Sequence, residues 1–189
     1  MKQNLRTGLH LRFAWIFFLA PFFAQAQCEI FKSEMDDLKI YMTKVSHLAD
    51  SLQTYAESAA FGAQYNAARS NARKVKFLIG VALNEADEAV TMASSAQYHS
   101  EICGLSAVKT YTIDVENYIT DARNFADEAF INAKNAIAAR NLGDVRYYMR
   151  RSQNASQEAR NSANAAAHAT YFAHASCTHA NGQTVSIEE

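Results

Sequence analysis

Three cysteines and the histidines beside two of them are the residues best suited to chemistry in this sequence. His99 precedes Cys103 by four positions and His174 precedes Cys177 by three, so each pair lies on one face if its segment is helical. Two histidines and two cysteines form a common tetrahedral ligand set for Zn²⁺. His99, Cys103, His174 and Cys177 are therefore candidate metal ligands.

A disulfide is the competing interpretation of the same sulfurs. Cys28, Cys103 and Cys177 are disulfide candidates, with Cys103–Cys177 and Cys28–Cys103 as the leading pairs and one thiol left over. No Cys-x-x-Cys motif strengthens the metal interpretation, and an oxidising compartment favours the disulfide. We expect a disulfide and no cofactor, and the sequence does not decide which two cysteines pair.

An N-terminal export signal supplies the oxidising compartment. Lys2, Arg6 and Arg12 precede an apolar run over residues 13–23, and the small residues of Ala24-Gln25-Ala26 follow. This order is typical of a cleavable signal peptide. The sequence predicts removal of residues 1–26 and a periplasmic or secreted location, with a bacterial source favoured.

The charge of the remaining chain excludes some partners. Removal of residues 1–26 leaves 15 basic residues against 19 acidic ones, a net charge of about −4. A weakly acidic chain is a poor general nucleic-acid binder. No later segment approaches the hydrophobicity of a membrane span, so we expect neither nucleic-acid binding nor a span in the mature chain.

The spacing of small and apolar residues predicts that the cysteines, histidines and charged residues lie on long helices. In four segments small or apolar residues step by four and three positions, which indicates helices packed along their length. The steps run from Phe31 to Ala59, from Tyr65 to Ala96, from Val115 to Ala136 and from Val145 to Cys177, and alanine is the commonest residue in them. The pattern predicts an all-α fold, an antiparallel up-down-up-down four-helix bundle with alanine-rich heptad packing.

Glycines and capping residues mark the expected helix boundaries. Gly62, Gly104 and Gly143 separate the segments, and Asp144 and Ser106 are suitable N-caps. One bundle domain is predicted over residues 27–181, followed by a flexible tail over 182–189. The expected helices cover about 29–60, 63–100, 106–141 and 144–177.

This topology predicts two chemically different ends. All three cysteines are expected at one end of the bundle, where acidic residues are also concentrated. Basic residues are concentrated at the opposite end. Cations at helix N-termini oppose the macrodipole, so their presence there suggests a surface for an anion or a partner protein. The candidate residues are Arg69, Arg73, Lys74, Arg140, Arg146, Arg150 and Arg151.

The sequence favours an interaction protein over an enzyme. It contains no recognisable nucleophile–base set, glycine-rich phosphate loop or catalytic carboxylate pair. We therefore expect a non-enzymatic protein-interaction or structural module of the cell envelope or secreted space. A metal- or cofactor-binding bundle that uses the His/Cys cluster is the alternative.

Overall fold

The fold consists of four long helices joined by short links. A computed structural model describes residues 7–103 and 106–183, with side chains described for 26–103 and 106–177. The helices are α1 (Thr7–Phe61), α2 (Tyr65–Cys103), α3 (Ser106–Ala138) and α4 (Leu142–Gln183). They pack against one another without strands in the described residues, and this arrangement confirms the predicted all-α four-helix bundle.

Each helix packs against the helices that precede and follow it, and α4 closes the bundle against α1. An ion pair crosses each of the four seams between neighbours. The pairs are Lys44–Glu85, Asp87–Arg123, Glu128–Arg151 and Asp50–Arg160, with separations of 2.8–3.4 Å. Exposed ion pairs add little stability individually, so packing must hold the bundle together.

The core is the predicted heptad seam. Every described heptad position in the four segments is buried except Tyr65, which is half-buried at the start of α2. The largest buried side chains of α1, including Phe31, Met35 and Leu38, share one core cluster with the alanine-rich seams of α2 and α4 and with larger side chains of α3 such as Val115 and Ile119. Small alanine side chains allow close backbone approach, and the larger side chains of α1 fill the remaining space.

The boundary between α3 and α4 differs from the expected one. α3 ends at Ala138 and α4 begins at Leu142, so Gly143 and Asp144 lie inside the first turn of α4. Asn141 is the N-cap in place of Asp144, because its Oδ1 accepts a hydrogen bond from the Asp144 backbone N–H at 2.9 Å. The Asn141 side-chain amide also donates to the Asp144 carboxylate at 2.8 Å, which makes the cap reciprocal.

The outer boundaries also differ from the expected ones. α1 begins at Thr7, so its backbone continues through most of the predicted signal segment, and cleavage after residue 26 stays a prediction. α4 extends to Gln183, beyond the expected end at 177, while residues 184–189 of the predicted tail and Gly104 lie outside the described residues. Ser106 is the first residue of α3. Among the described residues, no helix has an apolar stretch long enough to cross a bilayer.

Candidate functional site

The first candidate site is the sulfur cluster, which we define as Cys28, Cys103 and Cys177. Cys28 of α1 and Cys103 at the end of α2 form a disulfide, with their Cα atoms 5.6 Å apart. Cys177 of α4 carries the free thiol, and the three Sγ atoms lie within 4.8 Å of one another. The structure thus brings together the three predicted cysteines and selects the Cys28–Cys103 pair.

The Cys177 thiol lies inside the apolar core. Its side chain is fully buried, and its Sγ lies 3.9 Å from the backbone oxygen of Cys28. Burial raises the pKa of the Cys177 thiol, an effect that nearby Lys32 partly offsets and Glu29 reinforces. The neutral thiol is therefore the favoured form at neutral pH.

The histidines of the predicted metal set lie outside the sulfur cluster. His99 Nδ1 is 2.8 Å from the Glu34 carboxylate, whose other oxygen accepts a hydrogen bond from Ser95. His174 is half-buried on α4, one turn before Cys177. Within the described residues, the three cysteines are the one group of three or more potential ligands close enough to share an ion, so a site that includes His99 and His174 stays a prediction.

The second candidate site is the basic pole, which we define as the predicted cations around the ends of α1 and α3 and the starts of α2 and α4. Two of these cations, the fifth residues of α2 and α4, bind backbone carbonyls of neighbouring segments. Arg69 Nε donates to the Ile137 carbonyl at 2.6 Å, and Arg146 donates from Nε and Nη2 to the Gly62 carbonyl at 3.0 and 2.6 Å. Helix C-termini present unpaired, partly negative carbonyls, so these arginines neutralise the ends of adjacent antiparallel helices.

Three further cations of the basic pole contact side chains. Lys74 lies over the Tyr55 ring at 4.7 Å and Arg150 over the Phe61 ring at 5.1 Å. Arg151 pairs with Glu128 at 3.4 Å.

The remaining two cations of the basic pole, Arg73 and Arg140, are exposed on α2 and on the α3–α4 link. The basic pole is therefore partly a set of internal contacts, and Arg73 is one of the cations that remain available to a partner.

A shallow groove adjoins Arg73 on the outer face of α2. Its volume is about 430 Å³, and its lining includes Tyr55, Arg73, Lys74, Phe77 and Leu78. Phe77 is 70% exposed, the largest exposed fraction among the large apolar side chains described. Lys74, which lies over the Tyr55 ring, and the solvent-exposed Phe77 ring thus line the same groove.

A larger groove lies on the other side of Phe77. Its volume is about 730 Å³, and it runs past Arg73, Lys76, Gly80 and Phe130. Lys76 lies over the Phe130 ring at 5.5 Å. A Cβ atom at Gly80 would stand 3.4 Å from that ring, so glycine leaves one edge of Phe130 uncovered at the groove floor.

This chain matches no protein family model, no curated protein and no solved structure. The candidate sites therefore depend on the geometry of the chain itself. The surface around Phe77 was not among the predicted sites, although the sequence contains a signal for it. Phe77 falls between the seam positions Val75 and Ile79, where a large aromatic side chain is not needed for the core.

Proposed function

We propose that this chain is an exported, non-enzymatic interaction module that binds an acidic segment of a partner protein through the outer face of α2. The observation that carries the proposal is the exposed Phe77 ring between two grooves that share Arg73. We name this area, with Arg73, Lys74, Lys76, Phe77 and Phe130, the α2 surface.

The composition of the α2 surface supports an acidic partner. Arg73, Lys74 and Lys76 provide positive charge, and no aspartate or glutamate is among the described residues that line the two grooves. Arginine and aromatic side chains are enriched among the residues that dominate binding energy at protein interfaces. Carboxylates of a partner would pair with the cations while an apolar side chain packs against Phe77.

The bundle suits this role as a rigid support. α2 contains 39 residues, which corresponds to a length of about 58 Å at 1.5 Å per residue. Its inner face is fixed by an unbroken buried seam, while Phe77 projects from the opposite side. A rigid helix lowers the entropy lost on binding because little of its surface has to become ordered.

Site-specific photo-crosslinking in the source cells tests this proposal. A benzophenone amino acid replaces Phe77 in one variant and Tyr98 in the control variant, since Tyr98 is 62% exposed near the other end of the same helix. We expect a discrete protein adduct from position 77 that is absent from position 98 and disappears in an R73E/K76E background. Identical adducts at both positions, or an adduct that persists after charge reversal, would contradict the proposal.

Export is tested separately from binding. N-terminal sequencing of the protein from the periplasmic or secreted fraction is expected to begin at Gln27, after Ala26. Recovery of the chain only in the cytoplasm, with residues 1–26 retained, would show that this part of the proposal is wrong while leaving the crosslinking result interpretable.

A metal-binding bundle is the second candidate function. The approach of three sulfur atoms to within 4.8 Å favours it, because thiolates from three helices can share one thiophilic ion after the disulfide is reduced. The disulfide and the metal site use the same atoms and exclude each other. The thiol and metal content of the purified protein therefore discriminates between the two states.

A further inference from the structure

The sulfur cluster holds a free thiol beside both sulfurs of a disulfide. Cys28 and Cys103 are bonded, Cys177 is reduced, and no pair of their Sγ atoms is more than 4.8 Å apart. Disulfides exchange when a thiolate attacks one sulfur and displaces the other. All the atoms required for such an exchange are already present in the folded chain.

The positions of the three sulfurs indicate which of the two bonded cysteines Cys177 attacks. Cys177 on α4 lies against α1, where its Sγ contacts the backbone oxygen of Cys28, and both side chains are almost completely buried. Cys103 is only half-buried, at the last residue of α2. Since α1 and α4 are neighbours while α2 and α4 are diagonal, attack of Cys177 on Cys28 forms a bond between neighbouring helices, whereas attack on Cys103 would link a diagonal pair.

We propose that the sulfur cluster is an intramolecular thiol–disulfide exchange site that moves the free thiol from Cys177 to Cys103. The Cys177 thiolate attacks Cys28 Sγ, the Cys28–Cys103 bond breaks as the Cys28–Cys177 bond forms, and Cys103 leaves as a thiolate. The proton lost by Cys177 balances the proton taken up by Cys103. One disulfide and one thiol exist before and after, so no external oxidant or reductant is needed.

The exchange changes which thiol the surroundings can reach. Before exchange the reduced sulfur is fully buried, and after exchange it is the half-buried Cys103. A partially exposed thiol reacts with disulfides and electrophiles far more readily than a buried one. Cys103 thereby becomes a site for a mixed disulfide with another protein, while the bundle keeps a covalent link between two of its helices.

Burial of the Cys177 thiol makes the exchange slow at neutral pH. Burial disfavours the attacking Cys177 thiolate, Lys32 of α1 favours it and Glu29 of α1 opposes it. At the adjoining ends of α2 and α3, Glu101 and Lys109 pair with each other at 3.2 Å, and His174 is the titratable group one turn away on α4. Below the raised pKa, the thiolate fraction and hence the rate increase about tenfold per pH unit.

Disulfide mapping by mass spectrometry tests the exchange in the purified, non-reduced full chain. The protein is held at pH 7 or pH 9, quenched in acid and alkylated in denaturant, so that the label identifies the free cysteine. We expect label on Cys177 initially and growing label on Cys103, with a matching Cys28–Cys177 peptide, faster at pH 9. Label that stays on Cys177 at pH 9 while Cys28–Cys103 persists would overturn the proposal.

Two serine variants give an independent test. C103S removes the present partner of Cys28, and oxidation is expected to yield Cys28–Cys177, whereas the matched variant C177S yields Cys28–Cys103. Circular dichroism and the midpoint of unfolding establish that each variant is folded. A folded C103S protein that keeps both thiols under conditions that oxidise C177S would contradict the proposal, and the wild-type mapping decides the matter if C103S does not fold.

Discussion

Arg146, the fifth residue of α4, donates two hydrogen bonds, from Nε and Nη2, to the backbone oxygen of Gly62 and thereby ties the start of α4 to the link after α1. Arg69 binds the Ile137 carbonyl near the end of α3 in the same manner. The cations at two helix N-termini thus compensate the carbonyls at two helix C-termini. An up-down-up-down bundle brings both kinds of terminus to the same pole, so cations in this region have a structural role as well as an available charge.

Replacement of Arg146 by alanine is expected to lower the free energy of unfolding by about 1–2 kcal/mol. The loss follows because a partly buried carbonyl would no longer receive its charged donor. Urea denaturation followed by circular dichroism measures the change. R150A is the matched control, since Arg150 is exposed on the same helix and contacts only the face of Phe61 among the described interactions, and its effect is expected to be smaller.

Two glycine substitutions are expected to change stability in opposite directions. A Cβ at Gly62 would lie 2.5 Å from the Ser58 backbone oxygen, so G62A should destabilise the bundle by more than about 1 kcal/mol. Gly80 lies mid-helix with 3.4 Å of room before Phe130, so G80A should stabilise it by about 0.5–1 kcal/mol through helix propensity. Thermal and urea unfolding check both values, and equal effects from the two variants would contradict this account.

The buried Cys177 thiol is expected to make stability fall in alkaline solution. Its pKa is raised in the folded chain, so the unfolded chain releases the proton first, at a pH near the usual cysteine value of about 8.5. Stability from this group is fully present below that pH and is lost as pH rises toward the folded pKa. Urea midpoints from pH 7 to 10 should fall more for C28S/C103S than for C28S/C103S/C177A, because neither variant has a disulfide with which Cys177 could exchange and only the first has the buried thiol.

The thiol content of the purified chain distinguishes the disulfide state from a metal centre. We expect one thiol per chain when the protein is unfolded without reductant, and no stoichiometric zinc. Ellman's reagent and elemental analysis provide the two numbers. Three thiols together with one bound zinc ion would instead support the metal-binding alternative, and H99A and H174A variants would then show whether either histidine is a ligand.

The sequence by itself determined the seam of every helix and the coincidence of the cysteines at one end. Heptad periodicity is a local property, so Phe31, Ala82 or Ala126 can be assigned to the core from spacing alone, and all three are buried. Antiparallel connection of four such helices then places Cys28, Cys103 and Cys177 together. Neither inference requires knowledge of how far each helix is rotated or shifted against its neighbours.

The N-cap of α4 is a helix boundary that the local sequence leaves undecided. Asp144 was the predicted N-cap, and Asn141, three residues earlier, belongs to the same class of favoured N-cap residues. In the folded chain Asn141 begins it and Asp144 completes the reciprocal cap. With this cap, three residues form the reversal between α3 and α4.

Only the tertiary structure decided how the chemical groups are paired. The axial shift and rotation of the helices place Cys28 rather than Cys177 on Cys103, and direct His99 to Glu34 instead of the sulfurs. The same packing brings the Gly62 carbonyl within reach of Arg146. A disulfide or hydrogen bond forms over a distance of a few ångströms, whereas heptad spacing fixes a helix face and leaves its partner undetermined.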